Sequence, residues 1–154
     1  MSGDSFAYPT LPWSDSFKVG IEALDADHRA LVRLINEVCA CWAQGDGGEA
    51  RRRLDALVTL ACEHFQREEV VLHTLSSYDK LPDHVSEHRT RTKQLIDLVQ
   101  QFHEADDVSR QRQLCVNLVD WFVRQSIGHD AAIKGYFDDG GGRLAPGGRQ
   151  RPTR

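Results

Sequence analysis

The chain has 154 residues, of which 40% are hydrophobic and 27% are charged, and its formal net charge is −4. This length predicts one domain with a core that needs no disulfides, and the charge gives no reason to expect a nucleic acid or an anionic membrane as partner. No apolar run approaches the roughly 20 residues that span a bilayer, and the first residues do not resemble a signal peptide. We therefore expect a cytoplasmic protein without a membrane partner.

The N-terminal part divides into an arm and a first helix. Residues 1–20 are polar, aromatic and proline-bearing without a sustained period, and we expect an extended arm packed on the bundle. A helical pattern follows and ends at the glycine-rich residues 44–48, which favour a turn. Its inner face consists of Leu24, His28, Leu31, Leu34, Ile35, Val38 and Trp42.

The second helical pattern begins near Glu49 and fades at residues 76–79. Its inner face carries His64 and Glu68, which stand four residues apart, so that a helix places both on one face with about 6 Å between their Cβ atoms. This spacing is typical of metal ligands. The other residues of this face are Leu54, Leu57, Val58, Ala61, Phe65, Val71, Leu72 and Leu75.

The third pattern begins near Pro82, because proline is tolerated in the first turn of a helix. Its core-facing row opens with His84 and His88 and only then becomes apolar, with Leu95, Leu98, Val99 and Phe102. A helix normally buries an apolar face, so two buried imidazoles need a partner. A metal ion would provide one.

The fourth pattern begins near Asp107 or Ser109, and residues 139–154 are rich in Gly, Pro and Arg, which predicts a flexible tail. Short connections between four helices predict an all-α, antiparallel up-down-up-down four-helix bundle over residues 21–138. The inner face of the fourth helix consists of Leu114, Leu118, Trp121, Phe122, Gln125, Ile133, Tyr136 and Phe137.

Histidines and carboxylates from all four segments form one candidate ligand set. Imidazole and carboxylate together suit iron, manganese or zinc, and two carboxylates could bridge two such ions. Burying these groups without a cation would cost about 1 to 3 kcal/mol for each group left unpaired, so a metal-free cluster is the less favoured interpretation. The set consists of His28, His64, Glu68, His84, His88 and Asp130.

The same segments resemble the bacterial hemerythrins, a hemerythrin-like di-iron family. Each motif alone is weak, but all four in this order and at these separations are a strong signal, and the resemblance extends from about Trp13 to Phe137. The motifs are residues 19–28, residues 64–69, the pair His84 and His88, and residues 121–130.

The resemblance implies a non-haem di-iron centre that binds dioxygen or another small diatomic ligand. His28 and His64 would hold one iron and His84 and His88 the other, while Glu68 and Asp130 would bridge the two Fe ions together with an oxo or hydroxo group. Two carboxylates and one hydroxide carry three negative charges against four positive charges on two ferrous ions, which leaves a residual charge small enough to bury.

The ligand pocket shows one match and two departures. The resemblance implies that Trp121 and Phe122 line the pocket, although simple core aromatics are an equally good interpretation. The family has a histidine where this chain has Gln125, and a bulky aliphatic residue where it has Ser126. Gln125 is therefore a ligand through its amide oxygen, a position left to water, or a hydrogen-bonding group for a bound ligand, and His129 would be a geometrically strained substitute.

The offset of five residues between Gln125 and Asp130 corresponds to a rotation of about 140°, so these residues do not share a face of a regular α-helix. A π-type bulge would turn both side chains inward, and Gly128 makes such a bulge cheaper. We predict a distortion near residues 126–129.

The remaining candidates receive no site role. We expect His73 to be solvated, Glu69 to face solvent because it lies about 100° around the helix from Glu68, and His103 to complement a helix dipole. The four cysteines are interpreted as small core or surface thiols. They are Cys39, Cys41, Cys62 and Cys115.

Three functions are compatible with such a centre. The first is oxygen binding for storage, delivery or oxygen-linked sensing, with no enzyme activity. The alternatives are a sensor of redox state, nitric oxide or peroxide, and a weak peroxidase or oxidase that uses the more open iron. We see no pattern of a separate signalling domain, which counts against an intramolecular sensor, and oxygen binding is the favoured interpretation. The sequence indicates neither the protein partner nor the oligomeric state.

Overall fold

A computed structural model describes residues 7–74 and 81–129 and contains four long helices. They are α1 (Glu22–Ala43), α2 (Gly47–His73), α3 (Leu81–Glu104) and α4 (Val108–Val123). A short 3-10 helix, Asp15–Phe17, precedes α1, and α4 continues directly into a π-helix, Arg124–His129. No strand occurs within these two described ranges.

The helices form a four-helix bundle in which each packs against its neighbour in the chain and α4 also packs against α1. The predicted all-α bundle is confirmed. The connection between α1 and α2 is short because Gly45 adopts a φ of 79°, which favours glycine. Side chains then cap two helices: Asp46 accepts a hydrogen bond from the Glu49 amide at 3.1 Å, and Asp107 accepts one from the Arg110 amide at 2.7 Å.

The core has an apolar part in which the predicted faces of the helices are buried. Trp42 of α1 stacks on Phe102 of α3, with ring centroids 5.9 Å apart. On α3 every predicted inner residue is buried, whereas Val58 and Val71 of α2 are only partly buried. The fully buried leucines here are Leu31, Leu54, Leu57, Leu95, Leu114 and Leu118.

The arm lies along α1 and is fixed by hydrogen bonds to its side chains. Asn36 accepts a hydrogen bond from the Leu11 amide at 2.7 Å and donates one to the Leu11 carbonyl at 2.8 Å. Asp25 accepts another from the Val19 amide at 2.7 Å. These contacts bury Phe17 against the bundle and bring its carbonyl to α1.

The predicted distortion at the end of α4 is confirmed, because residues 124–129 form a π-helix that begins two residues before the expected position. Asp130, the side chain of His129, and the predicted tail at 139–154 lie outside the described residues. No helix in the described part of the chain has the length and apolarity required to cross a membrane.

Candidate metal centre

Five of the predicted ligands meet at one end of the bundle. His28 comes from α1, His64 and Glu68 from α2, and His84 and His88 from α3. All five are buried, and none exposes more than 3% of its surface. The spacing of four residues on α2 and on α3 directs each pair towards the same interior point.

The carboxylate of Glu68 lies between two pairs of histidines. Its Oε1 lies 2.7 Å from Nε2 of His84 and 2.7 Å from Nε2 of His88. Its Oε2 lies 3.6 Å from Nε2 of His64, which is 3.1 Å from Nε2 of His28. Glu68 therefore belongs to two groups of three potential ligands, and within each group the ligand atoms lie within 4.8 Å of one another.

Hydrogen bonds on the outer side fix the orientation of three of the imidazoles. The Nδ1 of His28 donates to the Phe17 carbonyl at 2.5 Å, and that of His64 donates to Asp27 at 3.1 Å. The Nδ1 of His88 donates to Glu69 at 2.7 Å. A neutral imidazole that donates through Nδ1 has its lone pair on Nε2, so these rings direct lone pairs towards Glu68.

This arrangement fits divalent cations. Lone pairs of Nε2 that face each other and a carboxylate repel unless a proton or a metal ion lies between them, and protonation would create buried imidazolium charges. Glu68 Oε2 is buried and accepts no hydrogen bond from the described residues. Imidazole nitrogens inside, with hydrogen-bonded carboxylates and a carbonyl behind them, form the donor set that transition metals favour.

The acceptor behind His64 is itself held by an arginine. Arg67 forms a two-pronged ion pair with Asp27, with both N···O distances 2.9 Å. Burial alone would raise the pKa of Asp27, but the hydrogen bonds from His64 and Arg67 outweigh burial and lower this pKa to about 2. Asp27 is therefore ionised at neutral pH and keeps the His64 proton on Nδ1.

Aromatic rings cover parts of the centre. Phe65 stacks on His88 with ring centroids 4.3 Å apart, and Phe122 meets His28 edge-on at 5.7 Å. Phe122 also contacts Phe17 at 5.1 Å. Trp121 is buried as well, and its indole N–H donates to the Arg91 carbonyl at 3.0 Å, so that it joins α4 to α3.

Gln125 and Ser126 lie in the π-helix, and both are only 2% exposed. The hydroxyl of Ser126 is buried and has no hydrogen-bond partner among the described residues. The π-helix thus contains two consecutive polar side chains that are both buried.

Glu69 is outside the two groups of potential ligands and is partly exposed, but sequence reasoning missed its contact with His88. Its side chain is 30% exposed and accepts the hydrogen bond from His88. Sequence reasoning also missed Asp27, which lies on the flank of α1 that reaches α2. In both cases the detectable signal was a carboxylate adjacent in sequence to a predicted ligand.

The predictions that His73 is solvated and that the cysteines are simple thiols are confirmed, and His103 lies where a dipole interaction was predicted. His73 is exposed, and His103 is exposed in the last turn of α3. All four cysteines are free, with Cys39 and Cys115 buried. The contact with Cys39 and burial raise the pKa of Cys115, so this thiol stays protonated.

Comparisons with known proteins agree with the geometry. The model of the hemerythrin HHE cation binding domain matches residues 19–125. A bacteriohemerythrin from Stenotrophomonas maltophilia (strain R551-3) is 23% identical over 122 residues, which cover 79% of this chain and 78% of that protein. Since the matched region includes α1, α2, α3 and α4, the chain belongs to the hemerythrin HHE cation binding domain family.

Proposed function

We propose that this chain is a non-haem di-iron protein that binds dioxygen in the bundle core. The observation that carries the proposal is the position of Glu68, whose carboxylate belongs to two separate groups of histidines. A carboxylate placed in this way is suited to bridge two ions, and a single ion would use only one of the two groups. The similarity to a bacteriohemerythrin supports iron as the metal.

In this proposal the histidines of α1, α2 and α3 would hold the two metal ions. His28 and His64 hold the first iron, and His84 and His88 hold the second. Glu68 and Asp130 would bridge the two, and none of these residues would have a catalytic role. When bound, the ferrous pair supplies the electrons for reversible binding of dioxygen.

The surroundings of the ligands suit a gas-binding site. Phe65 and Phe122 lie directly against two of the imidazoles and limit the access of water. Trp121 closes the interface between α3 and α4 nearby. A small apolar ligand enters such surroundings more readily than a charged one, which favours dioxygen or another diatomic molecule.

Gln125 distinguishes this chain from the family pattern. An amide oxygen is a neutral donor that binds iron more weakly than an imidazole nitrogen does, and the buried hydroxyl of Ser126 adds a polar group beside it. We infer a modified coordination sphere at the second iron, with faster autoxidation of the oxygen-bound protein than in a relative whose ligand at this position is histidine.

The test is an oxygen titration of protein loaded with ferrous ion under anaerobic conditions, followed by visible absorption. A band that appears with oxygen and disappears on its removal supports the proposal. Irreversible bleaching with turnover of peroxide indicates the enzyme alternative and contradicts it. The absence of any response to oxygen contradicts it as well and indicates a sensor of another signal.

A matched pair of variants makes this titration specific. Glu68→Ala removes the shared carboxylate and should abolish the band. Asp55→Asn removes a carboxylate from the same helix whose side chain is 71% exposed, and it should leave the band unchanged. A band that survives in Glu68→Ala would contradict the assignment of the site.

A further inference from the structure

The two groups of histidines that share Glu68 differ in what supports them from outside. On one side, the acceptors behind His28 and His64 are a backbone carbonyl and an arginine-bound carboxylate. On the other side, the acceptor behind His88 is the partly exposed Glu69. Both groups contain imidazole ligands, but the acceptors of their outer hydrogen bonds differ in exposure and in their own partners.

The support of His28 and His64 is rigid. The Phe17 carbonyl belongs to the arm, which is itself fixed to α1 by Asp25 and Asn36. Asp27 is only 11% exposed and is held by both prongs of the Arg67 guanidinium. To swing away from a bound ion, either imidazole would have to break a hydrogen bond that its surroundings hold in place.

The support of His88 is weaker. Within the described residues, Glu69 forms no ion pair with a lysine or an arginine, and its side chain is 30% exposed. Water can compete with His88 for the Glu69 carboxylate, because this carboxylate is partly exposed. Glu69 also lines an open groove of about 520 Å³ between α2 and α3, together with Phe65, Val85, His88 and Ile96.

We propose that Asp27 and Glu69 are positioning residues that make the two metal positions unequal in lability. The position held by His28 and His64 retains its ion, whereas the position held by His84 and His88 exchanges its ion first, by way of the groove between α2 and α3. This inference depends on the proposed dinuclear centre but not on dioxygen binding.

The inequality follows from the step that limits metal release. An ion leaves when an imidazole rotates away, and this rotation breaks the hydrogen bond at Nδ1. Loss of such outer partners typically weakens metal binding by about 10- to 100-fold. Solvent in the groove can replace Glu69 as the acceptor for His88. The side chain of Asp27 is less exposed, at 11%, and both of its oxygens already accept hydrogen bonds from Arg67.

The experiment measures the release of ferrous ion from fully loaded protein to a chromogenic chelator under anaerobic conditions. We expect two kinetic phases of equal amplitude in the unmodified protein. Asp27→Asn should accelerate the slow phase by about 10- to 100-fold and leave the fast phase unchanged. Glu69→Gln should alter only the fast phase, and Asp55→Asn should alter neither.

A second variant separates positioning from a general effect on folding. Arg67→Lys retains the charge beside Asp27 but loses the two-pronged geometry, so the slow phase should accelerate less than in Asp27→Asn. A variant that merely destabilised the bundle would accelerate both phases together. That result, or a single phase in the unmodified protein, would overturn the inference.

The kinetics of metal release and the oxygen titration test the two proposals separately. A reversible oxygen band together with a single phase of metal release overturns the inference and leaves the proposed function supported. Two phases that respond selectively to Asp27→Asn and Glu69→Gln, in a protein without an oxygen band, support the inference and contradict dioxygen binding.

Discussion

The two halves of α3 show two ways of stabilising the same bundle. Its C-terminal half buries apolar residues, including Leu95 and Phe102, which pack against aliphatic and aromatic neighbours. Its N-terminal half buries His84 and His88 against the carboxylate of Glu68. The first half is stable through apolar burial alone, whereas the second contains polar groups that a cation would satisfy.

The largest expected effect comes from removing the shared carboxylate. Glu68→Ala should eliminate both bound metal ions, since each position loses a ligand and the remaining imidazoles lose their common neighbour. Metal analysis of anaerobically loaded protein measures this loss. Unchanged iron content in Glu68→Ala would contradict the view that a cation bound by Glu68 satisfies the polar half of α3. Asp55→Asn is the control, because the carboxylate of Asp55 is exposed on the same helix as Glu68.

A substitution in the apolar half of α3 should lower stability even when no metal is bound. Phe102→Ala should lower the free energy of unfolding by about 3 to 5 kcal/mol, because this fully buried ring stacks on Trp42. Denaturant unfolding of the metal-free protein measures the change. If Phe102→Ala lowered the free energy of unfolding by less than about 1 kcal/mol, or only when iron is bound, the C-terminal half of α3 would not be stabilised by apolar burial alone.

The sequence predicted both halves of α3 because each signal is local. A period of 3.6 residues identifies the face with Leu98 and Val99, and a spacing of four residues identifies the histidine pair. The distortion at the end of α4 was predicted because the family resemblance places Gln125 and Asp130 at one site, although the two residues share no face of a regular helix.

The outer hydrogen bonds could not be predicted in the same way. Whether Asp27 reaches His64, or Glu69 reaches His88, depends on the rotation and separation of two different helices. Periodicity along one helix carries no information about these quantities. Sequence reasoning therefore finds groups that lie on a core-facing stripe and misses groups that act from the flank of a helix.

Metal binding should stabilise the folded chain by an amount that is visible in thermal unfolding. At a free metal concentration of 100 times the dissociation constant, the expected gain is about 2.7 kcal/mol. His64→Ala should lose most of this gain while Asp55→Asn keeps it. Identical melting temperatures for the loaded and the metal-free protein would argue against a metal centre in the bundle.

The smallest effect concerns the departure from the family pattern. Gln125→His should slow the autoxidation of the oxygen-bound protein, because imidazole is a stronger donor to iron than an amide oxygen. A tenfold slowing corresponds to about 1.4 kcal/mol in the activation barrier. The decay of the visible band measures the rate, and a rate equal to or faster than that of the unmodified protein would contradict the proposed role of Gln125.

X-ray absorption at the iron edge of loaded protein shows directly whether two iron ions lie close enough to share the carboxylate of Glu68. The account predicts an iron neighbour at about 3.5 to 4 Å, the separation typical of two-metal sites, and the loss of this neighbour in Glu68→Ala. Iron atoms surrounded only by nitrogen and oxygen, with no second metal at this distance, would contradict it.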